Sequence, residues 1–280
     1  MKKTALLCLL ALSCGCAART RRFIGYRLSG KAPLVSCRAD GPAKWCVHAP
    51  KGAASRDIVY FFHYATGDER SWDRLGLARA FYGEYSRLGK PAPRAVSVSY
   101  GTHWLLTKTP GRRQTVALDD FSALRRRIEA ELGAPERRYV WGMSLGGYNA
   151  AALTLSEPGL WSAAVLSCPA LQPSSPYIAP PAERFARGAE GREAFTSRLA
   201  GEPAWAAENP LALAAAAGPL PPFSIEADTD DEFGFFPGAQ ALSQTLKKSG
   251  ASVDFTATRG PHCLIDARAD ARFLAGLQPR

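Results

Sequence analysis

Ser144 lies in a short motif that could turn a weak nucleophile into a reactive one. It stands between Gly142 and Gly146 in a Gly-x-Ser-x-Gly pattern. Residues 138–141 are typical of a buried strand, and residues 147–155 favour a helix. A tight turn between the two would hold the serine hydroxyl clear of the backbone, at the positive end of the helix. The pattern therefore predicts nucleophilic chemistry at Ser144, against the alternative of a glycine-rich turn with a buried serine.

A nucleophilic serine needs a general base, and the chain contains four histidines. His262 lies on a loop just after the last predicted strand, where it can reach over the carboxyl edge of the sheet towards Ser144. His48 lies within a predicted strand and His63 ends another, which favours structural roles for both. His262 is therefore predicted to be the base.

The base in turn needs a carboxylate that fixes its tautomer and stabilises its charged form. An acidic run follows the predicted strand at residues 223–227, which satisfies the chain order serine, acid, histidine. Asp231 is the favoured acid and Asp230 is the alternative. Capping or turn chemistry would explain whichever of the two is not used.

A tetrahedral oxyanion needs two backbone N–H donors. Leu145 directly follows the nucleophile and is predicted to supply one of them. The second is predicted to come from the loop after the first central strand, from Ala65 or, as the alternative, from Tyr64. Trp104 lies just beyond another strand end and is interpreted either as a wall of the substrate cleft or as a surface-packing aromatic.

The elements that must position these groups alternate along the chain. Strand followed by helix predicts a doubly wound, mostly parallel α/β sheet. Strand-like segments at residues 23–28, 34–38 and 44–48 predict an antiparallel meander before it. Further strands are predicted at residues 57–63, 95–99, 138–141, 163–167, 223–227 and 251–256. Helices are predicted at residues 74–88, 119–132, 147–155, 238–248 and 266–276.

Residues 171–222 interrupt this alternation. The segment is rich in proline, with short helical pieces between the prolines. It is too small to hold a core of its own. We therefore predict an insertion placed where it could cover the active site, within a single α/β domain at residues 19–280.

Residues 1–18 are predicted to be a leader, with two early lysines followed by an apolar run too short to span a bilayer. Two processing routes fit this leader. The first is a bacterial lipoprotein signal with the lipid on Cys14 or Cys16, which predicts a periplasmic or outer-membrane lipoprotein attached peripherally to a membrane. The second is cleavage after Ala18, which predicts a secreted protein.

An exported chain can form disulfides. Cys37 and Cys46 flank a turn signal and are predicted to pair across a hairpin. Cys168 follows a predicted strand and Cys263 follows the candidate base, so both fall on one rim of the predicted sheet and are predicted to pair. The alternative for Cys168 is a buried small hydrophobe.

The composition favours a packed enzyme-sized domain over a nucleic-acid-binding protein. The chain is 46% hydrophobic and 10% aromatic, which supports a substantial core. Its formal charge is +10, but the basic residues fall on predicted helix surfaces without interleaved aromatic or groove-reading elements. We therefore expect no nucleic-acid partner, and neither a metal nor an organic cofactor is implied.

Together these segments resemble the α/β-hydrolase superfamily, and more narrowly its esterase branch, which includes S-formylglutathione hydrolase and feruloyl-esterase relatives. The resemblance covers about residues 30–275. It rests on the motif at Ser144, the strand and loop ending at Tyr64, the Asp-x-Phe step at Asp231, and the Gly-Pro-His step at His262. The Asp-x-Phe step is the reason for preferring Asp231. In this family the loop position held here by Tyr64 normally carries glycine.

The resemblance implies a serine hydrolase that cleaves small-molecule or polymer-linked carboxylic esters through an acyl-enzyme. The same residues would also serve for amides, thioesters or acyl transfer, because pocket shape sets the leaving group and the acceptor. A non-catalytic binding lipoprotein on a hydrolase scaffold is the alternative from another class.

Overall fold

The computed structural model describes residues 34–108, 113–178 and 186–278. The predicted strand at residues 23–28 and the leader cysteines Cys14 and Cys16 lie outside these ranges. An eight-stranded sheet forms the centre, in the order β1-β2-β4-β3-β7-β8-β9-β10. Its strands are β1 (Leu34–Asp40), β2 (Ala43–Ala49), β3 (Ala54–Phe62), β4 (Ala92–Ser99), β7 (Arg138–Met143), β8 (Ala163–Ser167), β9 (Phe223–Asp228) and β10 (Val253–Thr258).

The pairing of these strands confirms the predicted sheet. The first two strands pair antiparallel with each other, and β2 also pairs antiparallel with β4. Every other neighbouring pair is parallel. The last strand begins two residues later than predicted, at Val253. The carboxyl ends of the parallel strands therefore meet along one edge, where loops can bring side chains from several strands together.

Helices cover both faces of the sheet, which explains the near-continuous apolar runs in its central strands. Phe62 and Val140 face one buried cluster, while Phe61 and Trp141 face the other. The helices are α1 (Ser71–Arg74), α2 (Leu77–Arg87), α3 (Leu118–Leu132), α4 (Leu145–Ser156), α5 (Gly188–Thr196), α6 (Glu202–Glu208), α7 (Pro210–Ala216), α8 (Phe236–Lys248) and α9 (Ala267–Gly276).

Two local details differ from the prediction. The helix predicted at residues 74–88 begins at Leu77 as α2, because Gly76 takes a left-handed φ of 76° that separates it from the short helix α1. A small parallel pair, β5 (Leu105–Thr107) and β6 (Thr115–Ala117), was not predicted. Three-residue strands lie below the length at which alternation along the sequence is informative.

The proline-rich segment carries α5, α6 and α7, and it packs on the main body. Phe195 of α5 lies 5.1 Å from the ring of Tyr148 in α4. The Glu208 carboxylate accepts the backbone N–H of Lys108 at 2.7 Å. Among the helices of the described ranges, none has the length and apolar character to cross a membrane.

Both predicted disulfides are present. Cys37 and Cys46 are direct partners across the β1–β2 hairpin, with Cα atoms 4.0 Å apart. Cys168 and Cys263 join the end of β8 to the loop after β10, with Cα atoms 5.1 Å apart. The second bond therefore ties two loops at the carboxyl edge of the sheet.

Candidate active site

Ser144 forms the sharp connection between β7 and α4. Its backbone has φ 55° and ψ −117°, a region that costs a non-glycine residue about 1–3 kcal/mol. Neighbouring backbone groups hold it there, since its N–H donates to the Ser167 carbonyl at 3.0 Å. Its own carbonyl accepts the N–H groups of Gly147 at 2.8 Å and Ala170 at 2.9 Å. The serine hydroxyl is thereby fixed at the first turn of α4.

Two glycines allow the elbow to pack this closely. A Cβ on Gly142 would collide with the carbonyl of Gly146. A Cβ on Gly146 would collide with the carbonyls of Phe62 and His63, at the end of the neighbouring strand β3. The glycine spacing of the motif is therefore required by the approach of α4 to both strands.

The structure brings Ser144, His262 and Asp231 into one hydrogen-bonded chain. Ser144 Oγ lies 2.8 Å from His262 Nε2, and His262 Nδ1 lies 2.7 Å from Asp231 Oδ2. The Asp231 side chain is only 3% exposed. Asp230, the alternative acid, is exposed and its carboxylate lies 3.6 Å from Nε of Arg259. The geometry therefore joins Asp231, and not Asp230, to the histidine.

Aromatic rings surround the His262–Asp231 contact. The rings of Phe233 and Phe235 lie 5.1 Å and 5.5 Å from the imidazole ring. The second oxygen of Asp231 accepts the N–H of Phe233 at 2.8 Å. Arg187, just before α5, lies over the Phe233 ring at 4.3 Å. The proline-rich segment therefore contacts the loop that carries the acid.

The predicted oxyanion donors follow the ends of two neighbouring strands, β7 and β3. Leu145 is the first residue of α4, so its N–H has no carbonyl one turn earlier in the helix to bond. Ala65 follows β3, and its carbonyl accepts the N–H of His103 at 2.6 Å. The Ala65 N–H belongs to the peptide that contains the Tyr64 carbonyl, and that carbonyl lies 2.7 Å from Nδ1 of His63. The two contacts together fix the peptides on both sides of the Ala65 Cα. The assignment of Leu145 and Ala65, with Tyr64 as the alternative, stays a prediction.

Trp104 is a core residue, which corrects both interpretations of it. It is 1% exposed, and its indole N–H donates to Nε2 of His63 at 3.1 Å. His103 takes a left-handed φ of 59° and turns the chain inwards. Trp104 then packs against Phe62, with ring centroids 5.4 Å apart. A side chain buried to this degree offers no surface to a cleft.

His63 anchors the loop that leads to Ala65. Because an indole N–H can only donate, Nε2 of His63 accepts, and Nδ1 therefore carries the proton. Nδ1 then donates to the carbonyl of Tyr64 at 2.7 Å. Burial lowers the pKa of His63 below its usual value, which keeps the ring neutral. The structural role predicted for His63 is therefore to hold the Tyr64 carbonyl, next to the candidate oxyanion donor Ala65.

Three acids that the sequence analysis did not single out hold the loop of His262. Glu232, Asp228 and Glu226 accept backbone N–H groups of this loop. The available signal was the pair of acids within β9, where an otherwise apolar strand is buried on both faces. Only the fold reveals which groups these acids face, because their partners lie 30 or more residues away along the chain.

Cys168, His262 and Cys263 form the group of potential metal ligands found within the described ranges. The two sulfurs are joined in a disulfide, so they cannot act as thiolate ligands in this state. His262 already uses both ring nitrogens in contacts to Ser144 and Asp231. The arrangement fits acid–base and nucleophilic chemistry by side chains.

Comparison with known proteins finds one family model and several solved structures that are similar to this chain. A family model described as serine aminopeptidase, S33, matches residues 111–218, a stretch that contains Ser144. No curated protein matches the chain significantly in sequence.

Several solved structures share the fold. An esterase from Pyrobaculum calidifontis has a TM-score of 0.63 and 16% identity, over 92% of this chain and 89% of that one. A thermostable esterase from Pseudomonas putida has a TM-score of 0.67 and 19% identity, over 94% and 89%. A ferulic acid esterase has a TM-score of 0.62 and 12% identity, over 87% and 94%. The chain is an α/β-hydrolase by fold, and the structures it resembles are named as esterases.

Proposed function

We propose that this protein is a serine hydrolase that cleaves carboxylic esters through an acyl-enzyme. One observation carries the proposal, namely the continuous hydrogen-bonded chain from Ser144 through His262 to Asp231, with contacts of 2.8 Å and 2.7 Å. The strained elbow and the helix N-terminus at Ser144 support it, because they are features of a presented nucleophile.

Acylation follows from the order of these contacts. Ser144 Oγ attacks the ester carbonyl carbon while its proton moves to Nε2 of His262, and the carbonyl oxygen becomes an oxyanion. The N–H groups of Leu145 and Ala65 would stabilise that charge. The ester C–O bond then breaks, and His262 gives its proton to the departing alcohol oxygen. Asp231 keeps Nδ1 protonated and balances the positive imidazolium throughout.

Deacylation repeats the sequence with water. His262 takes a proton from water as the water oxygen attacks the acyl carbon of the acyl-Ser144 ester. The second tetrahedral species collapses, the bond to Oγ breaks, and His262 returns the proton to Ser144. The carboxylic acid leaves, and no redox or metal-dependent step is required.

The proposed substrates are small-molecule or polymer-linked esters, supported by the names of the structural relatives. A panel of p-nitrophenyl esters with graded acyl length tests this directly. We expect hydrolysis that peaks at one acyl length and disappears in Ser144→Ala. Hydrolysis that persists in Ser144→Ala would contradict the proposal.

Amide hydrolysis is the second candidate, because the matching family model is described as a serine aminopeptidase. The same three residues would perform it with an amine as the leaving group. Aminoacyl p-nitroanilides tested beside the esters separate the two. A kcat/KM higher for the anilide than for the matched ester would favour the peptidase reading.

We also propose that the chain is exported, with lipid on Cys14 or Cys16 or with cleavage after Ala18. The two disulfides among the described residues support an oxidising compartment. Mass spectrometry of the mature N-terminus distinguishes the routes. A diacylglycerol adduct supports the lipoprotein, an N-terminus at Arg19 supports secretion, and an intact Met1 in the native host contradicts both.

A further inference from the structure

The loop carrying His262 is held to the sheet by a regular set of hydrogen bonds. Every second backbone N–H from residue 262 to residue 266 donates to a carboxylate. The pairs are His262 to Glu232 at 2.9 Å, Leu264 to Asp228 at 3.0 Å, and Asp266 to Glu226 at 3.0 Å. Three carboxyl groups, two of them in β9, therefore hold the backbone of this loop.

Two of these acids belong to strand β9 of the central sheet. Glu226 and Asp228 alternate along β9 with Ile225 and Ala227, which face the other buried cluster. They therefore share the face of Ser224, whose hydroxyl contacts Asp270 of α9. They are 5% and 1% exposed. A buried acid without a cationic partner costs stability, so packing alone gives no reason for two of them here. Their common feature is contact with the loop of the candidate base.

We propose that Asp228 and Glu226 are positioning residues for His262, and that ionised Asp228 also stabilises the imidazolium that forms in the transition state. The inference rests on the proposed function, because it assigns these acids a role in the same reaction. Neither acid contacts substrate. Both would act through the backbone of the loop, and Asp228 would also act through its charge.

The surroundings of Asp228 make its charge depend on pH near neutrality. Burial raises its pKa to about 7, and the negative charge of Asp231 adds to this. The N–H groups of Leu264 and Cys263 and the positive form of His262 oppose the rise in pKa. Within the described part of the chain, Asp228 Oδ1 is buried without a hydrogen-bond partner, which favours the neutral carboxyl.

Glu226 lies in a more acidic environment. Burial raises its pKa to about 7, with the charges of Asp266, Asp228 and Asp254 adding to the rise and the N–H of Asp266 opposing it. Asp270 of α9 faces Glu226, and burial raises the pKa of Asp270 far above its usual value. Arg272, whose guanidinium lies 3.7 Å from the Asp266 carboxylate, is the nearby cation.

Ionisation of Asp228 has two consequences for the base. Its bond to the N–H of Leu264 becomes charge-assisted, which roughly doubles the strength of such a bond and holds the loop more firmly. Asp228 then also adds a negative charge that acts on the imidazole together with Asp231, from a site bonded to the backbone two residues beyond His262. A positively charged transition state at His262 is then favoured above the pH at which Asp228 loses its proton.

Asp228→Asn tests the inference, because the amide oxygen can still accept the N–H of Leu264 while the charge is lost. Asp230→Asn is the matched control, since it removes an exposed acid two residues away. For a neutral ester, we expect kcat of Asp228→Asn to lie within about twofold of the wild type at about pH 6 and about tenfold below it at about pH 8.5. KM should stay unchanged, and Asp230→Asn should follow the wild-type profile.

The folded fraction of each variant is measured by circular dichroism at each pH and kcat is expressed per folded enzyme, because stability itself depends on pH. A profile of Asp228→Asn that is parallel to the wild type over this range would overturn the charge role. A profile of Asp230→Asn that changes in the same way would also overturn it. Loss of any negative charge near the site would then explain the change in kcat.

Hydrogen exchange of residues 262–266 tests the positioning role without any activity. Asp228→Ala and Glu226→Ala should exchange these N–H groups at least about tenfold faster than the wild type, and Asp230→Asn should not. Unchanged exchange in both alanine variants would overturn the positioning role. If wild-type Ser144 is unreactive while the loop still loosens in these variants, then the proposed function fails and the loop anchoring stands.

Discussion

At the scale of single residues, the two neighbouring aspartates show how burial separates chemical roles. Asp231 has one oxygen on Nδ1 of His262 and the other on the N–H of Phe233. Asp230 points to solvent and to Arg259. A carboxylate that orients a base must bond the imidazole directly, because that bond fixes the tautomer and the orientation of the ring. Of these two aspartates, only Asp231 does so.

We predict that Asp231→Asn lowers kcat on a p-nitrophenyl ester by about 10³- to 10⁴-fold, because the amide favours the wrong imidazole tautomer. Asp230→Asn should stay within about twofold of the wild type. Stopped-time assays at one pH suffice for the comparison. Equal losses in the two variants would show that the carboxylate contacting His262 has no special role.

At the scale of elements, the sharp turn at Ser144 depends on the close packing of three segments. β7, α4 and the end of β3 meet at Gly142 and Gly146, where no side chain fits. The strained backbone of Ser144 persists because this contact, with the hydrogen bonds to Ser167 and Ala170, leaves no relaxed alternative. The nucleophile therefore depends on residues that do no chemistry.

We predict that Gly146→Ala destabilises the protein by more than about 3 kcal/mol, since the added methyl group meets backbone that cannot move aside. Gly159→Ala is the control, because a Cβ there meets no atom within 4 Å. Urea unfolding of both variants measures the difference. A Gly146→Ala variant as stable as Gly159→Ala would refute the packing argument.

The two disulfides should differ in both stability and activity. Cys168 and Cys263 are 95 residues apart, whereas Cys37 and Cys46 are 9 apart. Removing the long-range bond by double serine substitution should cost about 4.7 kcal/mol, and removing the short-range bond about 2.6 kcal/mol, on the loop-entropy model. Only the first substitution should also lower kcat, because Cys263 adjoins His262. Chemical denaturation and ester assays on the two double variants provide the test.

At the scale of the whole molecule, buried acids give the fold a pH dependence of definite sign. Burial raises the folded pKa values of Glu226 and Asp228 to about 7, and it raises the pKa of Asp270 well above its usual value. Between the unfolded pKa of about 4 and these values, the folded state binds more protons than the unfolded state. The free energy of unfolding from these groups is thus greatest below about pH 4 and falls as pH rises towards 7 and above.

We predict that Asp270→Asn flattens this decline and is more stable than the wild type above about pH 8. The amide can keep contacts to the hydroxyl groups of Ser167 and Ser224, which lie 3.3 Å from the two Asp270 oxygens. Thermal unfolding between about pH 5 and pH 9 measures the slope. Asp119→Asn, an exposed change at the start of α3, should leave it nearly unaltered, and equal slopes in wild type and Asp270→Asn would contradict the argument.

The buried His48 gives the free energy of unfolding a pH dependence of the opposite sign. Burial lowers its pKa to about 4, so its contribution to stability is complete above about 6.5 and declines as the pH falls towards 4. Because the buried acids Glu226, Asp228 and Asp270 outnumber this histidine, the summed contribution of these groups still falls as the pH rises from about 4 to 6.5.

The fold was largely predictable because its signals are local. Continuous apolar runs such as residues 57–63 mark strands covered on both faces, and the motif at Ser144 marks a strand-to-helix turn. The break at Gly76 was missed because glycine within a helical pattern does not by itself reveal a left-handed φ. The burial of Trp104 and the loop contacts of Asp228 were missed because both depend on partners distant in the sequence.

The sequence predicted Ser144 and His262 individually and preferred Asp231 as the acid, and the fold brings these three residues into one hydrogen-bonded chain. The sequence offered both Asp230 and Asp231, and strand geometry selects between them through exposure and direction. The oxyanion donors, Leu145 and Ala65, remain predictions, because two N–H groups act as a pair only when a reacting oxygen lies between them.

The most direct test of the account is covalent labelling of the folded wild-type protein with a fluorophosphonate, followed by peptide mapping. We predict one adduct, on Ser144, which is absent in Ser144→Ala and forms far more slowly in His262→Ala. A folded wild-type protein that resists the probe, or an adduct that maps to another residue, would contradict the central claim.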